Sequence, residues 1–266
     1  MKHVSIAGLV LAGWALVALA APWLPLHPDH IALPHILDTP GAASWLGNDD
    51  LGRPVLDRLL VGARTSFWVA AGVVSLSLLI GTLLGSTAAY LGGGWDRLLV
   101  MLLDIFMAFP GILLAIALAG LLGPGIGNLV IALSLVGWVG FARLARAQVL
   151  SLKQREHVQA AQALGSRTTD IIRRHLVPLI AAPLLVEATF AVAAVVIAES
   201  GLSFLGLGVQ PPEASWGSMI RDGVRYLLVA PHLVLAPGLS LFLVVLSVNL
   251  LGDRWRDKLD VKGEMT

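Results

Sequence analysis

Residues Thr65 to Trp95 read TSFWVAAGVVSLSLLIGTLLGSTAAYLGGGW, an unbroken stretch without Asp, Glu, Lys or Arg. Crossing a hydrocarbon core of about 30 Å takes roughly 20 mostly apolar residues in a helix, so this stretch predicts a membrane span. Five more segments are read as spans, the shortest continuing into an arginine pair. Val4 to Leu26 carries no charge, and Leu98 to Leu122 carries only Asp104. Asn128 to Ala142 is uncharged up to Arg143 and Arg146, Leu179 to Val209 carries Glu187 and Glu199, and Tyr226 to Gly252 is uncharged. The fold class expected is all-α, a polytopic transmembrane bundle of about six spans. Composition agrees. Only 13% of the 266 residues are charged and 57% are hydrophobic, against roughly 25% charged in soluble domains. There are no cysteines, which excludes a disulfide framework, a thiolate nucleophile and a Cys-ligated zinc.

Lys2 followed by an apolar run and Ala18-Leu19-Ala20 has the outline of a signal peptide. The run is longer than the usual signal core, and Pro22, Trp23 and Leu24 prolong it, so a retained first helix is expected. Orientation follows from Lys and Arg. With the N-terminus inside, the inner segments hold Lys2, Arg97, Arg143, Arg146, Lys153, Arg155, Arg167, Arg173, Arg174, Arg254, Arg256, Lys258 and Lys262, 13 of the 18 basic residues. The outer segments hold Arg53, Arg58, Arg64, Arg221 and Arg225. Both termini inside requires an even number of spans, which agrees with six. Trp45 and Trp68 fit an outer interfacial belt, Trp95 and Trp255 an inner one. Two regions are expected: 1–64, a first helix with a long outer loop, and 65–266, a five-helix core containing the inner loop 147–178. A second outer loop covers 209–231.

The inner loop is rich in helix formers from Ser151 to Leu164, and Gly165 suits a C-terminal stop. Ser166 or Thr168 is the expected cap of a second helix, with Asp170 in its first turn and Pro178 at its close. The loop is thus read as helix–Gly–helix. Small Ala160 and Ala161 permit close approach of another surface, and Leu164, Ile171 and Ile172 offer apolar contact. By physics alone, two readings stay open: an amphipathic hairpin lying on anionic lipid, or a docking knuckle for a protein.

Gln159-Ala-Ala-x-x-x-Gly165, followed by Pro178, resembles the EAA motif of ABC importer permeases. Gln159 stands where the usual motif has Glu, and His175 and Val177 replace the usual apolar residues before the proline. Further stretches resemble the dipeptide/oligopeptide/nickel permease family, in order along nearly the whole chain. They are Trp45 to Ser66, Tyr90 to Arg97, Asp104 to Gly111, Glu199 to Pro212 with Ser215 to Ile220, and Asn249 to Asp257. The resemblance is to the C-type member of paired permeases. It implies a type I importer permease (MetI-like) fold in a bacterial inner membrane. It also implies four partners besides lipid: a B-type permease, two ATP-binding subunits and an extracytoplasmic solute-binding protein. Gln159, Ala160, Ala161, Leu164, Gly165 and Pro178 would form the coupling loop that docks on an ATP-binding subunit. No enzymatic activity and no cofactor are expected of this chain. ATP and Mg would be bound by the partners, since no lysine follows a glycine as the phosphate loop requires.

A charge within a span is costly unless paired or wet, which makes Asp104, Glu187 and Glu199 candidates for the translocation path or an inter-subunit contact. The blander readings are a structural ion pair (Asp104 with Arg97 or Arg143) or a helix-end carboxylate. Twelve residues separate Glu187 from Glu199, about 18 Å of helix, so they cannot act as one carboxylate pair. His27, His30 and His35 with Asp29 are too irregularly spaced to read as a metal site, and Asp49, Asp50 and Asp57 are expected to fix the outer loop with Arg53, Arg58 and Arg64. Gly81-x-x-x-Gly85 permits close helix contact. Among functions, a di- or oligopeptide importer permease leads, with a nickel or metal-chelate importer as the alternative. An ion-driven secondary transporter with Glu187 and Glu199 as proton carriers is a third reading. An intramembrane enzyme lacks a visible nucleophile–base pair, and the basic residues are explained by topology without nucleic acid.

Overall fold

The structure, a computed structural model, describes the backbone of residues 6–42 and 44–263, and side chains within that range as far as Lys258. Lys2, Val4 and the side chain of Lys262 lie outside the described residues. Among the described residues every regular element is a helix. Five helices are long and apolar enough to cross a membrane, or six where one sharply bent helix pair counts as a single span.

α1 (Ile6–Ala20) runs into a 3₁₀ turn at Ala21–Trp23, where Pro22 takes an early position that needs no backbone N–H. α2 (Val55–Leu91) begins ten residues before the charge-free stretch does. Its first turns carry Asp57, Arg58 and Arg64, and Asp57 suits the positive helix start. A charge-free run marks the apolar middle of a helix and not its ends. α3 (Gly93–Met107) and α4 (Gly111–Leu122) share the third predicted span, but the two meet at 87°. Pro110 has no N–H to donate and disfavours helix at Phe109, so the helix stops there and restarts after the proline. Asn128 then closes α4 by donating its amide to the Leu122 and Gly123 carbonyls.

α5 (Ile126–Leu152) carries well past Arg146, and the inner segment is correspondingly shorter than expected. α6 (Glu156–Ala163) follows. Next come α7 (Thr168–Asp170), a π turn (Ile171–Leu176) and α8 (Val177–Phe204), which form one helix from Thr168 to Phe204. Pro178 therefore does not close a helix. The wider π turn just before it absorbs the missing N–H and the ring's clash with the preceding turn. The expected cap at Ser166 or Thr168 is also absent. The N-cap residue is Arg167, in extended conformation and without a side-chain cap. α9 (Trp216–Gly223) has the sharper start: Ser215 and Ser218 exchange hydrogen bonds in a capping box. α10 (His232–Gly263) completes the chain.

The chain folds as two compact units. The first comprises the described residues of Met1–Gly72, with Ile116–Ala132 and Val192–Leu251. Its core gathers Trp14, Val55, Ala63, Ala70, Val196, Trp216, Leu233 and Val248. Trp14 donates its indole N–H to the Ala63 carbonyl at 2.9 Å and stacks on Trp216, whose own N–H reaches the Leu59 carbonyl at 3.2 Å. Both indoles are thus buried with their polar edge satisfied. The boundary expected at 64/65 falls inside α2, within this unit. Segment 27–54 is held down by charge: Arg53 binds Asp49 at 2.7 Å, and Arg58 lies 3.5 Å from Asp49 and 3.8 Å from Asp29. Asp57 accepts the His27 backbone N–H.

The second unit comprises Val73–Ala115, Leu133–Ala191 and the described residues of Gly252–Thr266. Here Gly81 and Gly85 let α2 lie against α5. A Cβ on Gly81 would stand 2.6 Å from the Phe141 Cβ, and one on Gly85 would meet the Ala142 backbone. Ala88, Leu99, Leu103, Trp138 and Ala142 fill the space beside this contact. Trp45, Trp68, Trp95 and Trp255 are all exposed.

Candidate functional site

Segment 153–178 is built in the second unit. α6 ends at Ala163, and Gly165 takes φ +78°. The Gly165 N–H donates to the Gln162 carbonyl and the Ser166 N–H to Ala161. That pair of bonds is a Schellman cap, and it needs a residue that tolerates the left-handed region, as Gly165 does. Two polar ties fix the segment. Lys153 Nζ donates to the Ala89 carbonyl at 2.9 Å, capping the end of α2. Gln162 Nε2 donates to the Tyr90 hydroxyl at 2.8 Å. Outside the segment, Arg146 of α5 grips Asp96 of α3 with two bonds of 2.6 and 2.8 Å, a fork-to-carboxylate geometry among the stronger side-chain interactions.

Val158 and Ala161, three apart on α6, turn inward and are buried, as are Ile171 and Leu176 of the π turn. This revises the expected contact face: Ala161 and Ile171 serve the fold and do not face outward. Gln159, Ala160, Leu164 and Gly165 remain exposed, as does Pro178 at the start of α8. Leu164 is 86% exposed. Burying such a side chain against a partner is worth about 1.5–3 kcal/mol. The segment is thus a short helix, anchored on its inner side, that offers a small, partly apolar and unpartnered outer face. It holds no nucleophile–base pair. Among the described residues, no three His, Asp or Glu side chains gather where a metal ion would sit.

The three span carboxylates have separate surroundings. Asp104 is exposed on α3 and pairs with neither expected arginine: Arg97 donates to the Gly93 carbonyl, and Arg143 reaches Met107 Sδ at 3.6 Å. Glu187 is half-buried on α8, its Oε1 beside Gly140, at the edge of an open cleft of about 520 Å³. Glu199 is fully buried in the first unit. It accepts hydrogen bonds from Ser66 and Ser203, both at 2.9 Å, and a longer one from Ser200 at 3.4 Å. Ser203 Oγ also accepts the Val209 N–H, and Gly217 passes tightly over the Ser200 backbone. The residues Glu199 to Pro212 and Ser215 to Ile220 thus form one knot around a carboxylate.

Reading the sequence missed Ser66, Asp96 and the position of Arg143 beside Glu187. Ser203 was readable as the i+4 neighbour of Glu199, whereas Ser66 comes from 133 positions away. Glu199→Gln would replace one acceptor oxygen with a donor, leaving the Ser66 or the Ser203 hydroxyl without its partner. The expected cost is about 1–3 kcal/mol, read as a thermal midpoint lowered by several degrees in detergent. An unchanged midpoint would remove Glu199 from the fold's polar core.

Residues 77–262 match the family described as "Binding-protein-dependent transport system inner membrane component". Over 98% of its length the chain is 40% identical to the dipeptide transport system permease protein DppC of Alkalihalophilus pseudofirmus, covering 86% of that protein. It is 39% identical over 97% of its length to the nickel transport system permease protein NikC of Escherichia coli K12, covering 93% of it. It is also 40% identical over 92% of its length to the glutathione transport system permease protein GsiD of Escherichia coli O6:K15:H31, covering 82%. Among solved structures, a chain of the inward-facing MetNI methionine ABC transporter overlays with a TM-score of 0.62 at 18% identity, covering 77% of this chain and 97% of that one. This last likeness carries the fold alone, and it is the MetI-like permease fold expected. With the family matched over most of the chain and its helices in place, the protein belongs to the binding-protein-dependent transport system inner membrane components and is a multi-pass permease subunit of an ABC importer.

Proposed function

We propose that this chain forms one half of the translocation path of an ATP-driven importer of di- and oligopeptides. The observation that carries the solute class is the near full-length likeness to permeases named for dipeptide and for glutathione, itself a tripeptide, at 40% identity each. The permease named for nickel stands at 39%, so nickel or a metal chelate is the competing solute. The other half of the path is a B-type permease. Two ATP-binding subunits bind ATP and Mg and supply the hydrolysis, and a solute-binding protein delivers the peptide from outside the bacterial inner membrane. This chain contributes no catalytic residue and binds no cofactor of its own.

Both termini are cytoplasmic in this reading, supported by the 13 of 18 basic residues on that side. Gln159, Ala160, Leu164 and Gly165 then lie on the cytoplasmic face and dock on an ATP-binding subunit, with Ala161 packed behind them and Pro178 exposed at the start of α8. The experiment is uptake into proteoliposomes carrying the assembled complex and its binding protein. With the proton gradient collapsed, ATP-dependent accumulation of labelled dipeptide is expected, and no accumulation of nickel. Nickel uptake alone would reassign the solute, and uptake that follows a proton gradient without ATP would remove the chain from ATP-driven transport.

A further inference from the structure

The cleft beside Glu187 holds one charge of each sign and pairs neither. Met107, Val139, Gly140, Arg143, Ala147 and Glu187 line it, all within the second unit. Glu187 and Arg143 both line this space, yet neither has a salt bridge to the other or to any other described residue. Among the described residues, the one polar contact of the Arg143 guanidinium is a thioether sulfur at 3.6 Å, a weak acceptor that leaves its remaining donors without a described partner. Gly140 has no side chain to fill the space. A Cβ placed there would sit 3.4 Å from Glu187 Oε1.

An unpaired carboxylate within a span, beside an unpaired guanidinium at a span's inner edge, is kept where it meets water, a partner or a solute. A structural ion pair is the usual way to relieve them, and here the two groups share a cleft without forming one. A lone carboxylate would select a cation and a lone guanidinium an anion. One of each, lining one largely apolar cleft, complements a small molecule carrying both charges. The geometry points to Glu187 and Arg143 as a transient subsite for a zwitterionic solute, with Glu187 receiving an ammonium group and Arg143 a carboxylate. A short peptide with free ends has that charge pattern, whereas a bare divalent cation would be opposed by Arg143. The inference rests on the peptide-importer reading and deepens it, since it places a specificity contact in the permease as well as in the solute-binding protein.

Proteoliposomes carrying the whole complex test it, with binding protein loaded with labelled alanyl-alanine at saturating concentration. Glu187→Gln and Arg143→Gln should each lower the uptake rate at least about ten-fold, as loss of one charge-assisted hydrogen bond implies. ATP hydrolysis stimulated by the loaded binding protein should stay within two-fold of wild type, so more ATP is consumed per dipeptide. Gly140→Leu, which fills the cleft and keeps both charges, should lower uptake likewise. Unchanged uptake in the two Gln variants would overturn the subsite. So would a parallel loss of uptake and hydrolysis, or a complex that no longer co-purifies, since either marks a purely structural role. If the wild-type complex hydrolyses ATP but accumulates no alanyl-alanine, the peptide reading itself fails, and the subsite with it.

Discussion

Gly165→Val is expected to abolish ATP-driven uptake while the chain still inserts and the complex still assembles. Gly165 holds φ +78° with no atom within 4 Å of a Cβ built there. The obstacle is therefore the backbone conformation and not space. A left-handed residue costs an L-amino acid roughly 1–2 kcal/mol, and β-branching makes valine among the worst choices. The Schellman bonds from Gly165 and Ser166 would break first, freeing the last turn of α6 and with it Leu164, the exposed apolar tip. The spans would not feel this, because Val158, Ile171 and Leu176 remain buried. Gly165→Asn, which tolerates the left-handed region, should keep most of the activity. Normal uptake in the valine variant, with normal ATP hydrolysis, would show that the shape of this turn does not matter to transport.

Gly85→Val should act in the opposite way, on the fold and not on coupling. A Cβ at Gly85 would stand 3.0 Å from the Ala142 Cα and carbonyl carbon, and closer still to the carbonyl oxygen. These are backbone atoms of α5 and cannot rotate aside. Overpacking usually costs about 1–3 kcal/mol, and with backbone on both sides the upper end or more is expected. α2 and α5 would part, opening the cluster around Trp138 and Leu103. The measurement is the yield and thermal midpoint of the detergent-solubilised chain, expected to collapse for Gly85→Val. Gly120→Ala, at a helical glycine with no neighbour within 4 Å, should stay within about 0.5 kcal/mol of wild type. Equal stability of the two variants would contradict the packing described.

The spans were legible because lipid imposes a simple demand, about 20 apolar residues in a row, and Thr65 to Trp95 meets it without help from distant residues. Their ends were not. Val55 to Arg64 is helical and charged, since a helix continues past the lipid where its backbone bonds still close. Counting apolar residues also ran straight through Phe109-Pro110-Gly111, although the proline was in plain view. In the site, the Gly165 stop could be read because the left-handed position has a residue preference. Which alanine turns outward could not be read from Ala160-Ala161 alone, since Val158 and the wall it meets decide it. Pro178 misled for a definite reason: proline breaks a regular α-helix, and here a π turn precedes it. Ser66 on Glu199, Asp96 on Arg146 and the cleft shared by Arg143 and Glu187 join residues far apart in sequence, and no local pattern announces such pairs.

On the proposal made above, a partner's ATP chemistry enters this membrane protein through Gln159 to Gly165. The chain has no cysteine, so Leu164→Cys provides a single thiol at the exposed tip of the segment. In native membranes holding the full complex, a short thiol-reactive photocrosslinker on that thiol should join this chain to an ATP-binding subunit, with a yield that changes when ATP is added. Crosslinking from that position only to lipid, or to no protein in an actively transporting complex, would contradict the account and return the segment to an amphipathic hairpin on the membrane surface.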